Sequence, residues 1–169
     1  DNAWHHIAVT WAYSGSGTSG TSNMYIDGIQ RSAAALTFSG NNTSYLRVPY
    51  NSALIIGTAD FTIEWYQYQT DNNSAPRIFE FNNNRSPGVS LEGGRFYWWS
   101  AFSTNNSAAI TFKNTWVHFA VVRISGTITI YRNGSSILTF SDTTNYTTSS
   151  DLIIGCQANI SEYASLTSF

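Results

Sequence analysis

The chain has 169 residues, a length that suits one domain, or one domain with a piece of another. Only 11% of the residues are charged and the formal net charge is −2, so we expect no basic surface for nucleic acid. No apolar run approaches the ~18–20 residues that span a bilayer, and we expect no membrane insertion.

Strand patterns dominate the sequence, and no amphipathic helix longer than a turn or two is convincing. Runs of alternating, β-branched or aromatic residues between turn clusters predict strands. In chain order these are His5–Tyr13, Asn23–Ile29, Tyr45–Val48, Phe61–Gln69, Arg77–Phe81, Val89–Glu92, Arg95–Ser100, Trp116–Ile124, Thr127–Arg132, Ser136–Phe140 and Leu152–Gly155. Many short strands without helices predict an all-β, antiparallel sandwich or barrel and exclude a parallel βαβ fold.

Three dipeptides predict tight turns between these strands: Asp27-Gly28, Ser125-Gly126 and Asn133-Gly134. A two-residue hairpin turn of type I′ needs positive φ at both central residues, and Asn-Gly and Asp-Gly meet that need. We therefore expect hairpins at these positions.

A hairpin pattern occurs twice, at Ala3–Gly28 and at Thr115–Gly134. The matched pairs are Trp4 with Trp116, His6 with His118, Ala8 with Ala120 and Tyr25 with Tyr131. Because the histidines repeat with the hairpin, we interpret His6 and His118 as packed, hydrogen-bonded structural residues. The single cysteine, Cys156, follows an apolar run and is predicted to be a buried thiol.

The stretch FSGNNTSYLRVPYNSALIIGTADFTIEWYQY, from Phe38 to Tyr68, contains a Gly, a polar loop, a strand ending in Pro and then Asp-Phe-Thr-Ile-Glu. It resembles the opening of a laminin G-like domain of the concanavalin A-like lectin/glucanase superfamily. TWVHFAVVRISGTITIYRNG resembles the later hairpin of that family, and LIIG at Leu152–Gly155 resembles the next strand. The resemblance implies an antiparallel jelly-roll β-sandwich.

The resemblance also implies a division of the chain. Residues 38–169 resemble one laminin G-like unit without its last strand, which usually reads Gly-x-Ile-Asp-(Asp/Glu)-x-Arg. Residues 1–37 resemble the late hairpin of a preceding unit, which implies a tandem array in a longer protein. In the competing interpretation, residues 1–37 are an N-terminal hairpin of the same sandwich and cover the open sheet edge.

Carbohydrate binding needs aromatic faces for stacking and polar groups around them. Strand alternation separates Tyr97 and Trp99 from Phe96 and Trp98, and separates Tyr66 and Tyr68 from Trp65. One set packs in the core, and Tyr66, Tyr68, Tyr97 and Trp99 are the candidates for a ligand-binding platform or a subunit interface.

Calcium is a possible cofactor, because some laminin G-like domains hold it at a loop rim with carboxylate, amide and carbonyl oxygens. The candidate ligands are Asp60, Asp142, Asn145 and Asp151. No Glu-x-Asp or Glu-x-x-x-Glu cluster is present, and Glu80 and Glu92 stand alone in sequence, so we expect no glycoside hydrolase and no enzyme.

We therefore expect a non-catalytic carbohydrate-binding or adhesion module of an extracellular or virion-surface protein, whose partners are glycans. The alternative is a structural module that packs against neighbouring copies or subunits of a capsid, fibre or other surface assembly. A glycoside hydrolase is the third interpretation.

Overall fold

The computed structural model describes residues 7–13, 20–26, 28–31, 38, 45–70, 77–81, 87–100, 103–147 and 150–156. The chain divides into two compact units, Asp1–Ala35 and Leu36–Phe169. Every pair of strands among these described residues is antiparallel. The protein is therefore all-β, as the strand pattern predicts.

The first unit is a three-stranded sheet. Its strands are β1 (Ile7–Tyr13), β2 (Gly20–Ile26) and β3 (Ile29–Arg31), in the order β1-β2-β3. The sequence predicted one strand over Asn23–Ile29, but Ile26 pairs with Ile29 across a turn that contains Gly28 at φ 77°. Glycine adopts positive φ without a Cβ penalty, so the chain reverses there. Trp4 and His6 lie outside the described residues.

The second unit contains two sheets. The four-stranded sheet has the order β12-β11-β10-β5, and the six-stranded sheet has the order β4-β13-β6-β7-β8-β9. The strands are β4 (Leu46–Val48), β5 (Phe61–Tyr68), β6 (Arg77–Phe81), β7 (Gly88–Glu92), β8 (Arg95–Ser100), β9 (Ser103–Asn106), β10 (Trp116–Ile124), β11 (Thr127–Arg132), β12 (Ser135–Ser141) and β13 (Leu152–Ile154). A 3-10 helix, Ser52–Leu54, lies between β4 and β5.

The two predicted hairpin turns of the four-stranded sheet are confirmed. Ser125 and Gly126 have φ of 48° and 74°, and Asn133 and Gly134 have φ of 48° and 80°. Positive φ at both central residues is the geometry of a type I′ turn, whose twist matches that of the flanking strands. These turns bring β10, β11 and β12 side by side.

The core lies between the two sheets and is rich in aromatic side chains. Trp65 of β5 packs against Phe119 of its own sheet, with ring centroids 5.7 Å apart, and against Phe79 and Phe96 of the other sheet at 6.0 and 6.2 Å. Phe61 stacks on Trp98 at 6.1 Å. These contacts join the sheets into one sandwich.

Most strands lie where the sequence pattern predicts, but β9 was missed. Its sequence, Ser103 to Asn106, has no apolar residue, and it is held by backbone pairing with Tyr97–Ser100. A polar edge strand leaves no apolar alternation in the sequence. Cys156 is buried, as predicted.

One side of the sandwich is open in the part of the chain that is described. Strand β5 is the last strand of its sheet there, and its inward residues Phe61, Ile63 and Trp65 are only half-buried. A cleft of about 600 Å³ lies beside them, lined on the facing sheet by residues that include Leu46 and Leu152. That residues 1–37, or a closing strand, cover this edge stays a prediction.

The docking of Phe38 beside Gly155 can be tested with two matched glycines. A Cβ on Gly155, at φ 84°, would lie 2.5 Å from the buried Phe38 ring, whereas a Cβ on Gly134, at φ 80°, would meet nothing within 4 Å. Both Ala substitutions incur the positive-φ penalty of about 1–2 kcal/mol. Gly155→Ala should lower the free energy of unfolding by roughly 1–3 kcal/mol more, the cost of overpacking. Urea unfolding measures both, and equal losses would show that Phe38 moves away without cost.

Candidate functional site

The orientation of β5 follows from its alternation. Trp65 points into the core, so Glu64, Tyr66 and Tyr68 point to the outer face of the four-stranded sheet. Tyr66 is 62% exposed, which is unusual for a large aromatic side chain in the middle of a strand. Two of the four predicted ligand-binding residues, Tyr66 and Tyr68, therefore lie together on one face.

Strand β10 adds two more rings to this face. His118 pairs with Tyr66 across the strands, with ring centroids 4.7 Å apart, and Trp116 pairs with Tyr68 at 5.8 Å. Trp116 is 40% exposed. We call these four residues, together with Glu64, the Tyr66–Trp116 face. It is a platform of rings, tilted by 42° and 55° within the two pairs, that is supported by cross-strand packing.

A hydrogen bond between Glu64 and His118 connects the two strands of this platform. His118 Nε2 lies 3.2 Å from Glu64 Oε2, and the His118 backbone N–H donates to Asn133 Oδ1 at 2.9 Å. The prediction that His118 is hydrogen-bonded is confirmed, but the ring lies on the outer face next to an exposed tyrosine. The face therefore offers rings for stacking and carboxylate, imidazole and amide groups for hydrogen bonds.

Tyr97 and Trp99 lie on the other side of the sandwich. Their strand, β8, points Phe96 and Trp98 into the core, so Tyr97 and Trp99 face outward from the six-stranded sheet. The two rings stack at 5.8 Å, and Trp99 Nε1 donates to Ser90 Oγ at 2.7 Å. The four candidate residues therefore form two pairs on opposite faces rather than one platform.

A charged cluster supports this second pair of rings. The Arg77 guanidinium lies 5.2 Å from the centre of the Trp99 ring, donates to Glu92 Oε1 at 2.8 Å and lies 3.9 Å from Glu80. Glu80 and Glu92 stand alone in sequence but meet at one arginine, because Glu80 lies three residues from Arg77 on the same strand and strand pairing brings Glu92 to it. Arg77 and Glu80 are buried, so removing either residue would leave a buried charge with less compensation.

The four predicted calcium ligands do not all come together. Asp60 accepts the Ser125 N–H at 2.8 Å, and Asp142 is bonded to the backbone of the same turn, its N–H donating to Gly126 at 2.8 Å. Asn145 lies near Gly57. Asp151 pairs with Arg47 in the other sheet, and the Tyr50 N–H, followed by Arg47, lowers the pKa of its carboxyl.

The Asp142 carboxylate is already surrounded by donors. Its Oδ2 accepts from the Tyr146 hydroxyl at 2.6 Å and from Trp98 Nε1 at 3.3 Å, and its Oδ1 accepts the Thr144 N–H at 2.9 Å. The Arg123 guanidinium lies 3.9 Å away. Among the described residues there is no group of three or more His, Cys, Asp or Glu that could hold a metal ion. Calcium binding by the four residues stays a prediction.

Sequence reasoning missed Trp116, His118 and Glu64 as candidates for a binding site. The signal was present in β10, where Val117, Phe119 and Val121 form the more apolar set and leave Trp116 and His118 on the other face. The pairing of β10 with β5 was not visible, because the two strands are about 50 residues apart. That pairing creates the platform.

A sequence model of the concanavalin A-like lectin/glucanases superfamily, of laminin G-like type, matches residues 38–165, and the chain belongs to this superfamily. No curated protein sequence matches the chain. In the described part of the chain, no helix is long and apolar enough to cross a membrane.

Solved structures with the same fold are distant in sequence. The LG4-5 domains of the mouse laminin α1 chain share 14% sequence identity with this chain at a TM-score of 0.63. The match covers 86% of this chain and 46% of the length of the laminin structure. The CBM40 domain of a Ruminococcus gnavus IT-sialidase, bound to α2,3-sialyllactose, shares 12% sequence identity with this chain at a TM-score of 0.58. The match covers 80% of this chain and 85% of that one. Domain 4 of an extracellular GH43 arabinanase from Geobacillus stearothermophilus, in complex with arabinotriose, shares 12% sequence identity at a TM-score of 0.58. The match covers 96% of this chain and 78% of that one.

The role of Asp142 can be tested by Asp142→Asn, which replaces an acceptor by an amide donor that faces the Tyr146 hydroxyl. We expect the free energy of unfolding to fall by about 3 kcal/mol, because a buried pair with Arg123 is broken. Asp60→Asn, at an exposed carboxylate, should cost less than about 1 kcal/mol. Thermal unfolding should give the same loss of stability, Asp142→Asn relative to wild type, in calcium and in chelator. A loss of stability that occurs only in calcium would make Asp142 a calcium ligand.

Tyr146 should make the protein sensitive to alkali. Burial, followed by the hydrogen bond to Asp142, raises the pKa of Tyr146 above its usual range. The protonated tyrosine therefore contributes stability that is complete below the unfolded pKa of about 10 and is lost as the pH rises. Above pH ~10, the unfolding free energy of the wild type should fall more steeply with pH than that of Tyr146→Phe, by up to about 1.4 kcal/mol per pH unit. Urea unfolding with Tyr50→Phe as the control checks this; identical slopes would contradict it.

Proposed function

We propose that this protein is a non-catalytic carbohydrate-binding module of a larger extracellular or virion-surface protein, and that the Tyr66–Trp116 face binds the glycan. The observation that carries the proposal is the exposure of two aromatic side chains on neighbouring strands, Tyr66 at 62% and Trp116 at 40%, on the outer face of one sheet. Exposed aromatic surface of this kind marks an interaction site, and aromatic rings stack on the C–H faces of sugars.

The polar groups around the rings also support this proposal. The Glu64 carboxylate and the Asn133 side chain lie at the border of the platform, and both are exposed. Sugar hydroxyls donate and accept hydrogen bonds, so such groups orient a stacked ring. Two relatives of the same fold, the CBM40 domain and the arabinanase domain, have glycans bound, which is consistent with a carbohydrate partner.

We also propose that residues 1–37 are the late hairpin of a preceding laminin G-like unit. The register of the strands supports this: Ala8 pairs with Tyr25 in the first sheet, as Ala120 pairs with Tyr131 in the second. A tandem array would present several shallow sites at once. Linked weak sites gain avidity through effective concentration without new contacts.

A glycan array probed with the protein, in calcium and in chelator, tests the binding proposal. Tyr66→Ala and Trp116→Ala should each weaken binding about tenfold, because each removes one stacking surface. Ile124→Ala is the matched control, since Ile124 is 61% exposed on the same strand as Trp116 but at its other end. It should leave binding unchanged.

Two results would redirect the proposal. If Trp99→Ala abolishes binding and Tyr66→Ala does not, the glycan binds at the six-stranded sheet. If no glycan binds and the folded protein self-associates through Tyr66 and Trp116, the structural packing module is the correct function. The exposure of those same rings is the observation that favours this second candidate.

A further inference from the structure

The Tyr66–Trp116 face carries one carboxylate, Glu64, and the exposed Lys113 lies beyond its end, where it pairs with Gln69. The outward positions of its strands alternate with the buried ones, and on β5 they are Thr62, Glu64, Tyr66 and Tyr68. On β10 they are Trp116, His118, Ala120, Val122 and Ile124, which pair with Thr129 and Tyr131 of β11. No outward position on β5 or β10 is Lys or Arg. The two arginines of β10 and β11, Arg123 and Arg132, share the inward parity of Phe119 and Val121.

Glu64 is the acidic residue among these outward positions, and it is placed to meet a ligand. Its side chain is 64% exposed, it lies two residues from Tyr66 on the same face, and its Oε2 is held 3.2 Å from His118 Nε2. Because the side chain is 64% exposed, the carboxylate is accessible to a ligand that contacts Tyr66 on the same strand. An ionised carboxylate accepts hydrogen bonds and does not donate them, so its natural partners are hydroxyl groups.

We propose that the Tyr66–Trp116 face selects uncharged glycans, and that Glu64 determines this specificity. The inference rests on the proposed carbohydrate-binding function and names the ligand class of that site. A neutral sugar ring stacked on Tyr66 donates its hydroxyl hydrogens to Glu64. A carboxylate or sulfate on the same ring places a second negative charge beside Glu64, with no Lys or Arg at the outward positions of β5 and β10 to compensate it.

The two effects act in the same direction. The hydroxyl contact favours the neutral glycan through a charge-assisted hydrogen bond, and the like charge disfavours the acidic one. Exposure to water weakens both effects, so we expect a preference of about tenfold for a neutral glycan over its acidic counterpart. Because exposed charges are screened by salt, the preference should shrink as ionic strength rises.

An array of neutral oligosaccharides, printed beside their sialylated, uronate-bearing and sulfated counterparts, tests the proposal. The wild-type protein should prefer the neutral member of each pair. Glu64→Gln keeps the size of the side chain and removes the charge, so it should raise binding to the acidic members and bring the ratio close to one. Asp60→Asn removes the same unit charge from an exposed residue at the start of β5 and should leave the ratio unchanged.

The outcomes separate the two proposals. Absence of all glycan binding by folded protein would overturn the proposed function, and with it this inference. Glycan binding that Tyr66→Ala weakens, combined with a preference for acidic members or a ratio that Glu64→Gln does not change, would overturn the inference alone. A ratio that shifts equally with Asp60→Asn would assign the effect to net charge and would also overturn the role of Glu64.

Discussion

The packing of Trp65 between the two sheets is the contact on which the rest of the second unit depends. Its ring lies within about 6 Å of Phe79, Phe96 and Phe119, so it contacts both sheets at once. Because side chains alternate along a strand, burying Trp65 forces Tyr66 outward, and with it the rest of the exposed face. A slip of one residue in the register would bury Tyr66 and Glu64 and expose the tryptophan. The core contact therefore determines which side chains are available to a ligand.

Much of the fold follows from local patterns in the sequence. Alternation and tight turns located β10, β11 and β8, and the Asn133-Gly134 and Ser125-Gly126 turns have the backbone geometry that their residues favour. The arrangement of the site does not follow in this way. Alternation predicts that Tyr97 and Trp99 share one face, and Tyr66 and Tyr68 another, but it does not say that the two strands belong to opposite sheets. For that reason the four predicted rings, Tyr66, Tyr68, Tyr97 and Trp99, do not form a single platform.

The contacts that matter most at the site join residues far apart in the chain. Glu64 meets His118, and Arg77 of β6 meets Glu92 of β7, because strands that are distant in sequence or separated by a turn become neighbours in a sheet. Pairing of this kind depends on topology and not on the pattern within either strand. A sequence can therefore reveal that Trp116 and His118 share a face and still not reveal which residues stand beside them.

The repeated hairpin shows how far a local sequence determines structure. The β1–β2 and β10–β11 hairpins have the same pairing, Ala8 with Tyr25 and Ala120 with Tyr131, although their connecting segments differ in length. In the second unit this hairpin has β5 at one edge and β12 at the other. The strand pairing within the hairpin is thus a property of its own residues, whereas the exposed platform needs β5 as well.

Among the described residues, the charges buried in the structure are paired with one another, and others pair at the surface. Arg123 and Asp142 meet in the core, Arg77 joins two acids, and Arg47 pairs with Asp151. A surface left with hydroxyl, amide and aromatic groups attracts no ligand over a long distance, because a field that steers association needs net charge. Recognition on such a surface depends on short-range stacking and hydrogen bonds. Short-range contacts of this kind are what a shallow site on the Tyr66–Trp116 face would use, and the proposed preference for neutral glycans depends on them.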